Sequence, residues 1–210
     1  MSYSDDAKPT RRTLGRTRWL RFAVAFIGTG AIAAALVTLT AEGVLAASFS
    51  ISGTPFVVTA DELNGTGFEQ FAALDNMPEN SPNAGDTGGQ ILVVVSAIKE
   101  AKLTNLCQSI ELPGTFLKIT AGDAGTPVSA TTLVVDSDQI TGGEATFTNI
   151  SIGQDSSTLD KVPGVAGPLG VFGQQADSVR ITNLRQNNFA TTAGTFTLPN
   201  LHISFSDTGC

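Results

Sequence analysis

The sequence predicts an all-β fold: a single extracytoplasmic domain over residues 47–210, built as a sandwich or an open sheet. Short runs of alternating apolar and polar residues are typical of strands that bury one face. Threonine, which suits pleated surfaces, recurs in these runs, and turns rich in glycine and asparagine separate them. With 41% apolar and 15% charged residues the chain can form a core, which excludes wholesale disorder.

The predicted strands follow one another along the domain. The dense apolar run Ile91–Ile98 predicts a central strand that is buried on both faces. The remaining strands are predicted at Ser48–Ser52, Phe116–Ile119, Leu133–Val135, Phe147–Ile152, Val179–Ile181, Phe196–Leu198 and Leu201–Phe205. Only Gly67–Leu74 has a helical pattern, and it predicts one short turn.

Four asparagines that precede an aliphatic residue allow an alternative fold, a β-solenoid. They are Asn105, Asn149, Asn183 and Asn200, and each comes after an alternating stretch. Asparagines at regular intervals can mark the corners of solenoid coils, and the last three follow a period of 17 residues. Asparagine also ends ordinary strands, because it tolerates a left-handed backbone. Both interpretations stay open at the level of sequence.

Residues 1–46 have the pattern of a signal peptide or an N-terminal membrane anchor. Arginines cluster in Arg11–Arg21, and Phe22–Ala41 contains no charged residue. Ala46 and Ala47 fit the small-residue rule of signal peptidase, which favours cleavage between them. If the segment is retained, its arginines keep the N-terminus in the cytoplasm. The chain is therefore expected to be exported, and either secreted or anchored in the cytoplasmic membrane with its C-terminal domain outside.

The two cysteines, Cys107 and Cys210, fit an oxidising compartment. Neither belongs to a C-x-x-C pair, and the chain has one histidine, so a metal or redox pair is disfavoured. A structural disulfide is the preferred interpretation. It would close a long loop and fix the C-terminus.

Charge and aromatic content restrict the partners. Residues 47–210 carry six Lys or Arg against sixteen Asp or Glu, so phosphate backbones would be repelled and nucleic acid is not expected. The only tyrosine and tryptophan, Tyr3 and Trp19, precede the domain. Glycan sites rely on such amphipathic rings, so a glycan is disfavoured, whereas an apolar ligand such as a lipid or sterol is compatible with the composition.

Two segments are predicted as loops. Asp75–Gln90 is polar and rich in turn-forming residues. Val162–Phe172 is apolar yet rich in glycine and proline, which is compatible with a lid over a ligand or with an irregular loop packed on the core. The candidate lid residues are Val162, Val165, Leu169, Val171 and Phe172.

No catalytic residue, cofactor site or metal site is assigned. The chain has no G-x-S-x-G motif, and its one imidazole, His202, lies two residues from Ser204 on a predicted strand, too far for a hydrogen bond. Ser96–Lys99 matches S-x-x-K but lacks the helix and the K-T-G motif that accompany it. Asp136–Asp138 begins like a calcium loop and lacks its later ligands.

Longer stretches carry a family resemblance. They are Arg16–Phe22, Ser96–Ser109, Ala145–Ile150, Gln154–Lys161 and Phe172–Val179. Together they resemble an actinobacterial family of exported cell-envelope proteins without an established biochemical role. Its members often carry the label cholesterol esterase by automatic transfer. The resemblance implies export and a membrane-protein partner, and the label implies ester hydrolysis.

Three functions are compatible with these observations. A non-catalytic envelope protein that acts through protein contact predicts an exposed apolar patch or an unpaired sheet edge, without a cavity. A carrier or sensor of a lipid or sterol predicts a closed apolar cavity of some hundreds of Å³, gated by residues 162–172. The alternative, a hydrolase of sterol or lipid esters, predicts that His202 acts as the base of an unidentified serine.

Overall fold

A computed structural model describes residues 50–85 and 88–210, all of which belong to one compact unit. The predicted segment 1–46 and the cleavage point at Ala46 and Ala47 lie outside the described residues. Among those that are described, no helix combines the length and hydrophobicity needed to cross a membrane.

The described chain is all-β, as predicted. It forms ten antiparallel strands and one short 3-10 turn at Ser156–Thr158. The strands are β1 (Phe56–Asn76), β2 (Gln90–Thr104), β3 (Leu106–Leu112), β4 (Thr115–Ala121), β5 (Val128–Thr141), β6 (Glu144–Thr148), β7 (Ser151–Asp155), β8 (Phe172–Thr192), β9 (Thr195–Thr197) and β10 (His202–Ser206).

Four long strands organise the sheet. The pairing runs β10–β4–β3–β1–β2–β5–β8–β6, and β8 also pairs with β1, so β1, β2, β5 and β8 form a closed ring. The short strands β6 and β7 continue β5 along β8, and β9 continues β8 along β5. The sheet is therefore single, and it closes on itself instead of remaining open.

The asparagine pattern marks bends in these strands, and the β-solenoid alternative is wrong. All pairings are antiparallel, and each of the four asparagines has a positive φ, between 49° and 55°. Asn105 separates β2 from β3, and Asn149 separates β6 from β7, while the side chain of each donates to an aspartate of the facing strand. The left-handed backbone that asparagine tolerates thus explains the pattern.

Two further expectations are corrected. Gly67–Leu74 is not a helical turn, because it lies within β1, where Phe68 and Phe71 are buried and the segment pairs with β2 and β8. The described part of the predicted strand Ser48–Ser52 is outside any strand. Its Ile51 is buried all the same, in a small cluster with Met77 and Ala190.

The core has one large cluster and a smaller one beneath the loop that precedes β8. The large cluster fills the centre of the ring with residues such as Leu63, Leu103 and Leu184. The smaller cluster joins strand residues to Leu159, Val162 and Val165 of the loop. Burial of these apolar side chains against the sheet holds an irregular segment in place.

Cys107 and Cys210 form a disulfide. The Cα atoms are 5.8 Å apart, the separation usual for a disulfide. The bond ties the last residue to β3, and the Cys210 amide also donates to Ser109 Oγ at 3.0 Å. The C-terminus is thereby fixed to the sheet.

Candidate functional site

A large apolar pocket lies between the sheet and residues 159–171, which we call the covering loop. Its volume is about 1090 Å³. Three strands supply one wall and the loop supplies the other. The lining residues are Phe71–Asp75 of β1, Leu92 and Val95 of β2, Val134 and Asp136 of β5, and Leu159, Asp160, Val162–Pro168 and Val171 of the loop.

The pocket is open to solvent on one side. Leu74 and Leu92, which face each other across β1 and β2, are 56% and 66% exposed at its rim. Large apolar side chains are seldom left in water without a reason, and contiguous exposed apolar surface marks binding sites. The feature is an open pocket and not the closed cavity that the sequence predicted for a ligand carrier.

Buried polar contacts hold the covering loop on the sheet. Val162 N donates to Glu69 Oε1 at 2.6 Å, and Asp160 N donates to Gln175 Oε1 at 2.9 Å. The loop also passes so close to β1 that a Cβ at Gly67 would lie 2.6 Å from the Lys161 carbonyl oxygen. Gly67 has a φ of +64°, so the position requires glycine for two reasons.

The candidate lid residues divide between the two sides of the loop. Val162 and Val165 are buried, and Val171 is half-buried, and all three line the pocket. Leu169 and Phe172 are 85% and 58% exposed and lie outside the lining. The loop therefore presents apolar side chains to the pocket and to solvent at once.

Three aspartates, Asp75, Asp136 and Asp160, are the acidic part of the pocket wall. Asp75 lies one residue before the end of β1 and Asp136 lies in β5, and their carboxyl groups are hydrogen-bonded to each other, which requires a shared proton. Burial, the charge of Asp75 and the hydrogen bond with it raise the pKa of Asp136 to about 7. Burial also raises the pKa of Asp75, against the effect of the hydrogen bond from Asp136. The pair therefore exchanges a proton with solvent within the neutral pH range.

Behind the covering loop, Glu69 is fully buried. Burial raises the pKa of its carboxyl group, although hydrogen bonds from the Val162 and Lys161 amides act against this. Its Oε2 atom has no hydrogen-bond partner. Glu69 therefore anchors the loop at the cost of a desolvated carboxyl group.

The residues considered for catalysis are not brought together. His202 is exposed on β10, whereas Ser96 is buried in β2 and accepts a hydrogen bond from Gln70 Nε2 at 2.9 Å. Lys99 is exposed, and Asp138 accepts a hydrogen bond from Asn187. Within the described residues, no three His, Cys, Asp or Glu side chains are grouped as a metal site would need.

A second exposed feature is the edge of the sheet at β10. This strand pairs with β4 on one side and ends the path of paired strands. Its Ile203 and Phe205 are 57% and 71% exposed and lie opposite Ile119 and Leu117 of β4. An apolar face at a sheet edge can pair with another chain.

The sequence predicts the irregular segment Val162–Phe172 but not the acid pair. Its pattern places Asp75 in a polar loop and Asp136 at the start of an incomplete calcium motif. Each nevertheless lies next to a strongly apolar strand, Asp136 directly after Leu133–Val135. An aspartate directly after an apolar run could have indicated a buried acid. Asp75 and Asp136 are 61 residues apart, however, and only the fold brings them together.

Comparison with known proteins gives one match. The model of a protein family described as "Family of unknown function (DUF6230)" matches residues 52–210, which include the whole ring of strands and the pocket. No curated protein and no solved structure matches the chain.

Proposed function

Because the chain belongs to the DUF6230 family, whose function is unknown, we propose its function from the pocket. The protein is an exported, non-catalytic cell-envelope protein that binds an apolar ligand, lipid-like or sterol-like, between the covering loop and the sheet. The observation that carries the proposal is the apolar pocket of about 1090 Å³.

Size and lining support this function. Sites for small molecules usually have volumes of about 300–1,000 Å³ and combine apolar walls with a few polar groups. Here valine, leucine, alanine, proline and phenylalanine form nearly all of the wall, and the polar groups are aspartates. A lipid tail or a sterol ring system has the matching shape and chemistry.

The covering loop supports a binding role over a purely structural one. Its valines face the pocket, while Leu169 and Phe172 face solvent. Exposed apolar side chains beside a pocket entrance can contact a lipid surface while the ligand passes. Export is supported by the Cys107–Cys210 disulfide, since such bonds persist in oxidising compartments.

The test is mass spectrometry of molecules that co-purify with the full chain from its native envelope. Ala72 lines the pocket, so Ala72→Trp should fill it, whereas Ala124→Trp in an exposed turn is the matched control. A stoichiometric apolar compound in the wild type and in Ala124→Trp, absent from Ala72→Trp, is expected. An equal amount in both variants, or none in the wild type, would contradict the proposal.

A second candidate function is protein contact through β10. It is favoured by the exposed Ile203 and Phe205 at the sheet edge, and the partner would be another envelope or membrane protein. Replacing Ser204, the middle residue of the strand, by proline removes its amide donor. A partner that co-purifies with the wild type and with Ser204→Ala, but not with Ser204→Pro, would support this function.

Ester hydrolysis stays the alternative that the cholesterol esterase label suggests. Nothing in the arrangement of the described residues favours it, because His202 is exposed and two positions from Ser204 on one strand. If His202→Ala abolished hydrolysis of sterol esters by the purified chain, the non-catalytic function would be wrong.

A further inference from the structure

We infer that the pocket selects a cationic amphiphile, a molecule with an apolar body and one ammonium group, which it binds by placing the ammonium on the Asp75–Asp136 pair. This inference rests on the proposed function and specifies the chemical class of its ligand. Its basis is the placement of charged groups around an otherwise apolar pocket.

The charges that face the pocket are all acidic. β1 contributes Asp75, β5 contributes Asp136 and the covering loop contributes Asp160, whereas the lining residues of β2 are Leu92 and Val95. No Lys, Arg or His belongs to the lining among the described residues. Lys161, the nearest cation along the loop, is paired with Asp177 at 2.7 Å. A positive charge at this site must therefore come from a ligand.

The acid pair is built to accept a donor. Oδ2 of Asp75 is buried and, apart from the proton that Asp75 can share with Asp136, has no hydrogen-bond donor among the described residues. A buried acceptor without a donor is destabilising, and a ligand that donates a hydrogen bond removes that cost. An ammonium group has three donors and can contact both carboxylates at once.

Charge balance favours an ammonium group over a neutral hydroxyl group. In the neutral pH range the Asp75–Asp136 pair can hold one shared proton, which neutralises one of its two carboxylates. When an ammonium group binds between the two carboxylates, this proton is released to solvent and the positive charge of the ligand takes its place. Binding therefore releases up to one proton and becomes tighter as the pH rises through the range in which the pair titrates.

The experiment is isothermal titration calorimetry of the full chain in lipid nanodiscs, with empty nanodiscs subtracted. The probes are 1-aminoadamantane, 1-adamantanol and 1-adamantanecarboxylate, which share one rigid apolar body. At pH 8 the amine is expected to bind at least tenfold more tightly than the alcohol, with the carboxylate weakest. Its affinity should fall about tenfold from pH 8 to pH 6, and buffers of different ionisation enthalpy should report proton release.

Two variants separate the inference from the proposed function. Asp136→Asn and Asp75→Asn, each checked for a cooperative melting transition that shows it is folded, should lose the preference for the amine and keep the affinity for the alcohol. Equal affinity for amine and alcohol in the wild type would overturn the inference and leave an apolar binding site. If none of the probes bound, or if Ala72→Trp bound them equally well, the proposed function would fail too.

Discussion

The carboxylate of Glu69 accepts a hydrogen bond from the backbone amide of Val162 at 2.6 Å, across 93 residues of sequence. Glu69 is fully buried in β1, so the covering loop is anchored from inside the sheet. Elsewhere the loop is held by apolar packing and short polar contacts to residues near its own ends. Glu69 is therefore a buried anchor of the pocket wall, beside the contacts of the loop with Gln175 and Asp177.

Two substitutions of Glu69 distinguish its role as a hydrogen-bond acceptor for the covering loop from the effect of its buried carboxyl group. Glu69→Gln keeps an acceptor for Val162 and removes the desolvated carboxyl group, so we expect the loop to stay in place. Glu69→Ala leaves the amide without a partner, and we expect a loss of about 1–3 kcal/mol in the free energy of unfolding. Hydrogen exchange at Val162–Val165 checks this, with faster exchange in Glu69→Ala alone. Equal exchange in both variants would contradict an anchoring role.

The stability of the protein should decrease as the pH rises from about 4 to about 7. Unfolded aspartates lose their protons near pH 4, whereas the folded pair keeps one until about pH 7. The folded state binds more protons in this window, so the free energy of unfolding falls as the pH increases. Urea unfolding at a series of pH values measures the slope. Stability that rises across the window would contradict the shared proton.

Asp136→Asn should reduce this slope, because an amide donates to Asp75 at every pH as the protonated acid does. We expect a higher Tm at pH 8. In a chain of this size, a gain of about 1 kcal/mol in the free energy of unfolding raises the Tm by about 2–4 °C. Asp123→Asn, at an exposed turn position, is the matched control and should leave the slope unchanged. Some dependence of the free energy of unfolding on pH should remain in Asp136→Asn, because the pKa of Glu69 is also raised. Adding Glu69→Gln should remove this remaining dependence.

The fold class was predictable because strand alternation and turn residues are local properties. The runs at Ile91–Ile98 and Leu133–Val135 lie in β2 and β5, and the irregular segment Val162–Phe172 lies between the 3-10 turn and β8. Gly67–Leu74 departs from strand alternation because both faces of β1 are covered here: Phe68 packs in the large core cluster, and Phe71, on the opposite face, packs in the cluster beneath the covering loop.

The ring and the site were not predictable, because both depend on pairing between distant segments. β1 and β8 are separated by about a hundred residues and still form a long ladder, with Phe56 opposite Asn188 and Phe71 opposite Gly173. Asp75 and Asp136 lie in β1 and β5, which do not pair with each other and are joined through β2. No local pattern indicates that two acids at the ends of separate apolar runs share a proton.

Removal of the disulfide should destabilise the chain strongly. Cys107 and Cys210 are 103 residues apart, and the chain-entropy model gives about 4–5 kcal/mol for a loop of about this length. Cys107→Ser combined with Cys210→Ser should lower the urea midpoint accordingly, and reduction of the wild type should have the same effect. A change below about 1 kcal/mol would mean that the contacts of Ser109 and Arg185 with Cys210 already fix the C-terminus.

Glycine and alanine should rank in opposite order at an asparagine with a left-handed backbone and at an asparagine without one. Asn149 has a φ of 53° and donates to Asp177 Oδ2 at 2.7 Å, whereas Asn187 lies within β8, is not among the residues with positive φ, and donates to Asp138 Oδ1 at 2.8 Å. Glycine and alanine both remove these side-chain hydrogen bonds. At Asn149, alanine should cost about 1–2 kcal/mol more than glycine, because only glycine adopts this backbone without strain.

At Asn187 glycine should be the more destabilising replacement, because it adds backbone entropy to the unfolded chain and gains nothing in an extended strand. The urea midpoints of the four variants decide between these expectations. If alanine and glycine ranked in the same order at both positions, the side-chain hydrogen bonds would be the main contribution of these residues. The reversed order would show that the left-handed backbone at Asn149 is needed for the bend between β6 and β7.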